Sequence, residues 1–302
     1  MTGNKHLSLS LLLLLLLPLQ VVADTSVWFL YDDANAHHRK YVEESEALLV
    51  KALPEVTVRR ANLTGGVPLD ASGGRTLLIS VGSKAAQHAA DSELPTLNTL
   101  VTRRTFNSLR GQYDSPVSAI YLDQPVARHL QLVKSALPSR NKMTVLLGRE
   151  SQLLTKGLAQ QSQRLGMQLQ VITVDDESAI NKLFGRELLA EDTLLLLPDP
   201  EVVNRRTVKP LVLGSYRQGI PLIGYSQALV KAGALMAVHS SLPALEKRLS
   251  EVVQYYFKSG VLSAPGHVDD FEISVNYQLA RALKIFLPSE KNLKQTLQEQ
   301  LR

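Results

Sequence analysis

Gly224-Tyr225-Ser226-Gln227-Ala228 is the stretch whose residue types come nearest to covalent chemistry. It follows the apolar run Ile220–Ile223 and precedes a helical pattern, where a hydrolase nucleophile elbow presents its serine. The last glycine of that motif is Ala228 here, and the acid and histidine of a triad reduce to Glu246 or Glu251 with His267. Both glutamates fall on the polar side of an amphipathic helix, so a serine esterase is the third reading, and no enzyme is expected. The 7 histidines are scattered, and the adjacent pair His37-His38 does not share one helix or strand face. No HExxH spacing occurs, so no metal site is expected. Neither GxGxxG nor GxxxxGK[ST] is present, which removes the sequence support for dinucleotide and P-loop sites; no cofactor is expected. The absence of cysteine excludes disulfides, a thiol nucleophile, Cys-ligated zinc and iron–sulfur clusters.

The same positions read better as binding groups. Ser83, Ser151 and Ser226 each stand between a strand and a helix, where free backbone N–H groups and the helix dipole favour a carboxylate or another anion. Each is equally placed to be a plain helix N-cap. Asp199, after Leu194–Leu197, is placed to accept from a ligand ammonium, or to start the turn with Pro198 and Pro200. Tyr225 offers an aromatic wall with a polar tip.

The elements that would hold these residues alternate in type. Val27–Tyr31 reads as a strand, followed by a helix through Tyr41, Ser45, Leu48, Leu49 and Ala52. Leu77–Val81 and Pro95–Val101 read as strands, with a helix opening at Gly82-Ser83. After Ile120–Leu122 the rhythm restarts: a helix face on Val126, Leu130, Val133 and Leu137, then strands at Met143–Leu147, Leu169–Val174, Thr193–Leu197 and Ile220–Ile223. Continuous apolar strands between helices are buried on both faces, which means parallel α/β sheets. Two such sets predict two doubly wound lobes. Ligands of such sheets bind beyond the carboxyl ends of the strands, the positions of the residues named above. Leu242–Gly260 reads as an amphipathic helix. Phe271–Asn276 alternates like a short strand, and Leu293, Leu297 and Leu301 form an i+4 series in a polar tail.

Residues 1–23 have the pattern of an export signal. Lys5 is followed by the apolar run Leu11 to Leu17 with Leu19, Val21 and Val22, and Ala23 stands before Asp24. Pro18 and Gln20 interrupt that run short of the ~20 residues of a membrane span. A cleaved, exported chain is expected. At 302 residues, 45% hydrophobic and 20% charged, the chain is long enough for two packed cores. Its net charge of +5 is too diffuse, and its 5% aromatics too few, for a nucleic-acid binder.

Asp123-Gln124-Pro125, before an apolar helix ending at Leu137-Pro138, resembles the lobe-crossing segment of periplasmic substrate-binding proteins of ABC transporters. It is most similar to the branch that contains tryptophan/tyrosine-binding proteins. Leu197-Pro198-Asp199-Pro200, the block from Ser215 to Leu235, and Phe271–Asn276 with Ala280-Arg281-Ala282-Leu283 extend the resemblance over roughly Leu78 to Leu287. It implies a periplasmic binding protein type I-like fold with a hinge, an interlobe cleft and a C-terminal segment returning to the first lobe. Lobe 1 is then expected over 24–120 plus 241–302, and lobe 2 over 121–240. The resemblance further implies a monomer in the periplasm that traps a small molecule, an amino acid or related metabolite being the first class to consider, for an ABC permease; the alternative is a sensing module for a membrane receptor or kinase. Gly82 and Ser83 would meet a ligand carboxylate, and Asp199 occupies the place of an acidic residue that meets an amino group. Pro200 stands where Asn is common after that acid, and Gly148-Arg149-Glu150-Ser151 replaces a Gly-Pro turn with a charged one.

Overall fold

The computed structural model describes residues 25–65, 75–174, 180, 183–184, 187–188 and 192–301; the expected export signal lies outside them. Two six-stranded sheets form the frame. The first contains β1 (Ser26–Tyr31), β2 (Thr57–Asn62), β3 (Thr76–Val81), β4 (Thr96–Val101), β5 (Val117–Tyr121) and β11 (Gly266–His267), in the order β11-β5-β4-β3-β1-β2. All its pairings are parallel. The second contains β6 (Lys142–Leu147), β7 (Gln168–Thr173), β8 (Thr193–Leu196), β9 (Leu222–Gly224), β10 (Met236–His239) and β12 (Glu272–Val275), in the order β12-β10-β9-β8-β6-β7. Only β12 runs antiparallel, against β10.

Both sheets therefore repeat one winding, in which the second strand lies outside the first and the third on its other side. Each has a topological switch point, β1/β3 in the first sheet and β6/β8 in the second, where loops diverge and leave a crevice. The central strands are apolar throughout because helices cover both faces: Thr76–Val81 is buried at every position. The edge strand β2 was not legible as a strand, since Thr-Val-Arg-Arg-Ala-Asn is mostly exposed, and its arginines suit an edge that must stay unpaired.

In the first lobe, α1 (Ala36–Ala52) and α8 (Leu242–Ser259) cover one face of the sheet, burying Tyr41, Leu49, Leu245 and Leu249. The helix α8 is bounded by local chemistry. Ser241 accepts from the Ala244 N–H at its start, and Gly260, at φ +78°, ends it in the left-handed region that a residue without Cβ adopts freely. Short helices α2 (Ser83–Ala89) and α3 (Arg103–Leu109) cover the other face. In the second lobe, α4 (Val126–Ala136) and α5 (Thr155–Arg164) lie on one face, and α6 (Val208–Arg217) and α7 (Gln227–Ala232) on the other.

The expected return of residues 241–302 to the first lobe needs correction. The chain does return with α8 and β11, but it then crosses back a third time at 268–271. There β12 adds to the second sheet, Met236 opposite Val275 and His239 opposite Glu272. The helices α9 (Tyr277–Ala282) and α10 (Glu290–Gln300) follow it. Leu293 and Leu297, buried in the second lobe's core, dock α10 there. Lys294 Nζ, 3.0 Å from both Asp270 and Glu272, pins α10 to the crossing. Leu293 and Leu297 of the i+4 series in the tail thus form a docking face while Leu301 stays exposed, and each buried leucine contributes about 2 kcal/mol.

The three crossings are bonded to one another. Ser240 Oγ donates to the Leu122 carbonyl at 2.8 Å, and the Gln124 amide donates to Ser240 Oγ at 2.6 Å. The His267 ring nitrogen Nδ1 lies 2.8 Å from the Asp123 carbonyl. Arg128 donates to the Val268 carbonyl at 2.7 Å, and its guanidinium lies 5.0 Å from the centroid of the Phe271 ring.

His129, in the first turns of α4, is fully buried, and neither ring nitrogen has a hydrogen-bond partner among the described residues. Burial, with His267 and Arg128 as neighbouring positive groups, lowers its pKa from 6.5 to about 4. Above pH 6.5 both folded and unfolded chains hold the ring neutral. As pH falls from about 6.5 to about 4, the unfolded chain takes up a proton that the folded chain refuses, so stability is lost across that window. The expected loss is about 2–3 kcal/mol. His129→Leu should lose correspondingly less between pH 7 and pH 4 in denaturant titrations; equal pH dependence in both proteins would refute this account.

Candidate functional site

Four loops lie at the carboxyl ends of the strands beside the switch points, two in each lobe. In the first lobe, the loop after β1 leads to Asn35, whose side chain caps α1 by accepting from the N–H groups of His37 and His38. Gly82 follows β3 at φ +87°, where a side chain is strained, and a Cβ there would lie 2.6 Å from His38 Cε1. The imidazole of His38 therefore rests on the bare backbone of Gly82, and burial lowers its pKa. Ser83, the first residue of α2, is exposed beside them.

In the second lobe, the loops after β6 and β8 are tied together by acids. Asp199 is 2% exposed. Its Oδ2 accepts from the Gly148 N–H at 2.7 Å, and its Oδ1 from the Glu201 N–H at 3.0 Å. The Glu201 carboxylate accepts from the Arg149 N–H at 2.8 Å. Gly148 is obligatory for this arrangement, because a Cβ would lie 2.6 Å from Glu201 Cβ. Ser151 is buried in the 3₁₀ turn Arg149–Leu154. Tyr225 is partly buried beyond β9, and burial together with the Asp199 carboxylate raises its phenol pKa.

Ser226 is the N-cap of α7: its Oγ accepts from the Leu229 N–H at 3.3 Å. The esterase reading finds no triad in this arrangement. His267 lies on β11 of the first sheet, held at the Asp123 carbonyl, and Glu246 lies on α8, its pKa raised to about 7 by burial and by Glu44.

One side chain joins the two groups of loops. Arg104, at the start of α3 in the first lobe, reaches three carboxylates of the second. Its Nη2 meets Glu150 and lies 3.4 Å from Glu201, and its Nη1 lies 4.0 Å from Asp199. Its Nε is buried without a partner among the described residues. Sequence reading passed over Arg104 and Glu201. The available signals were their positions just beyond β4 and β8, and the charged turn Gly148-Arg149-Glu150-Ser151.

Of the six expected ligand residues, Ser151, Asp199 and Tyr225 gather around the second lobe's loops, with Ser226 at the neighbouring helix start. Gly82 and Ser83 lie on the first lobe with His38. Around Asp199 the carboxylates are already engaged by backbone N–H groups and by the Arg104 guanidinium. Among the described residues, no group of three His, Cys, Asp or Glu is placed to hold a metal ion. No helix among them is long and apolar enough to cross a membrane.

No protein-family model and no curated protein matches the sequence. Solved structures do match the fold. A substrate-binding protein with adhesive properties from Clostridium difficile, in a ligand-free, open structure, aligns at TM-score 0.67 and 18% identity, covering 89% of this chain and 97% of that one. An ABC domain from Streptococcus pneumonia in complex with L-Trp aligns at TM-score 0.62 and 14% identity, over 90% and 98%. A conserved domain protein from Vibrio cholerae aligns at 0.59 and 15%, over 90% and 98%. Two switch-point sheets joined by three bonded crossings are thus the two-lobed fold that this chain shares with these solved structures.

Proposed function

We propose that the protein is an exported solute-binding protein that captures a small molecule between its lobes and delivers it to an ABC importer. The observation that supports this reading is that Arg104, beyond β4 of the first lobe, reaches the carboxylates in the polar loops after β6 and β8 of the second. Binding energy would come from closing the lobes over a few polar contacts and removing them from water. Gly82, Ser83, Ser151, Tyr225 and Ser226 are the proposed contacts. Amino acids and related metabolites are the first solutes to test, with L-tryptophan leading because a protein of the same fold holds it.

The test is a melting-temperature screen of the chain beginning at Asp24. A solute present at 100 times its Kd and binding only the folded state adds about 2.7 kcal/mol of stability. For a protein of this size that is a rise of several degrees. A rise that survives in Ser226→Ala but is lost in Tyr225→Ala would place the solute against the aromatic wall. A screen of amino acids, sugars, polyols and organic acids that moves the melting temperature of the intact chain in no case would reject the solute-binding reading.

A further inference from the structure

We infer that Arg104 is a built-in tie that holds the two lobes together in the absence of any solute. Its guanidinium is the cation of the first lobe that enters the second lobe's acidic cluster. The three carboxylates it meets, Glu150, Glu201 and Asp199, all belong to the loops after β6 and β8. Like charges at such spacing repel, and a planar guanidinium with five donors is the side chain suited to bridge several of them at once. The tie is partly withdrawn from water on its inner side: the Arg104 side chain is 26% exposed, that of Asp199 1% and that of Glu201 37%, whereas that of Glu150 is 70% exposed. Separating the lobes would leave Asp199 with its two backbone donors but Glu150 and Glu201 without the arginine.

Two of the three carboxylates are also held by backbone N–H groups of their own lobe. Asp199 is fixed by the Gly148 and Glu201 N–H groups, and Glu201 by the Arg149 N–H. A receptor organised in advance loses little entropy on closure, so its Coulomb attraction is retained as closing free energy. The Arg104 guanidinium, 4.0 Å from Asp199, already offsets part of the negative charge that would draw a ligand ammonium. A cationic solute group must therefore compete with Arg104, whereas a neutral or acidic group need not. The tie acts without a ligand, so it stands or falls separately from the proposed function.

The absence of native cysteine permits a direct distance measurement. Spin labels on Asn107→Cys and Lys156→Cys, exposed positions on α3 and α5, report the separation of the lobes by double electron–electron resonance. With Arg104 present and at low salt, the short-distance population should dominate. Arg104→Gln should shift the closed-to-open ratio by about tenfold toward open, within the usual range of coupling between two elements. Sodium chloride at 1 M, where screening acts within ~3 Å, should move the protein with Arg104 in the same direction and leave Arg104→Gln unchanged. Arg103→Gln removes the same charge one residue away and should leave the distances as they were. Equal distance distributions for Arg104 and Arg104→Gln at low salt would overturn the inference, as would indifference of the Arg104 protein to salt. The salt series alone decides if the glutamine variant does not fold.

Discussion

Asp199→Ala should lower the folding stability by about 3–5 kcal/mol. The Asp199 carboxylate is buried and accepts from two backbone N–H groups, those of Gly148 and Glu201. Each hydrogen bond to a charged acceptor contributes about 1.5–3 kcal/mol, and a buried N–H left without a partner carries its own desolvation cost. The alanine variant loses both bonds together and uncouples the loop after β6 from the loop after β8. Asp199→Asn keeps one carbonyl acceptor but turns an NH₂ group toward the other donor, so it should fall between the two. Chemical denaturation of the three proteins checks the order. An alanine variant as stable as its parent would return Asp199 to the role expected from the sequence, an acceptor awaiting a ligand amino group. Solute titration would then show the deficit that the melting curve had not.

Phe271→Ala should cost a similar amount, about 3–5 kcal/mol, the range for truncating a buried aromatic ring. Phe271 is 2% exposed and sits where the third crossing enters the second lobe's core, with the Arg128 guanidinium 5.0 Å from its ring centroid. Arg128 in turn donates to Val268 in the same crossing and to Gln124 in the first, so the ring anchors a contact shared by two of the three strands of the hinge. The variant should therefore also broaden the interlobe distance distribution. Phe271→Leu, which keeps the core filled while removing the ring face, should recover most of the stability and little of the hinge definition. Identical urea midpoints for Phe271→Ala and its parent would remove Phe271 from the core argument.

Much of the frame was legible because its signals are local. A central strand such as Leu77–Val81 must be apolar at every position when helices cover both faces, and that run is visible without knowing any neighbour. The restart after Leu122 announced a second sheet, and Asp123-Gln124-Pro125 does lie at a crossing. The cap at Ser226 was equally local: a serine hydroxyl three residues before a free helix N–H. The strand β2 was not legible, because an exposed edge carries no burial pattern to read.

Where the chain ends its path was decided by tertiary structure. Phe271–Asn276 reads as a strand in either lobe; its antiparallel register with β10 and the burial of Leu293 and Leu297 against the second core are pairings between segments far apart in sequence. The hydrogen bonding of Asp199 was decided in the same way. A turn acid after an apolar strand is free to meet a ligand or the backbone, and only the fold brings the Gly148 N–H, 51 residues away, to 2.7 Å from it. Arg104 carries no periodic or motif signal at all. Its contacts arise because the start of α3 and the loops after β6 and β8, each positioned by its own sheet, lie close enough for one guanidinium to reach three carboxylates. Propensity and hydrophobic period act between near neighbours along the chain, whereas charge acts through space and depends on where the lobes set it down.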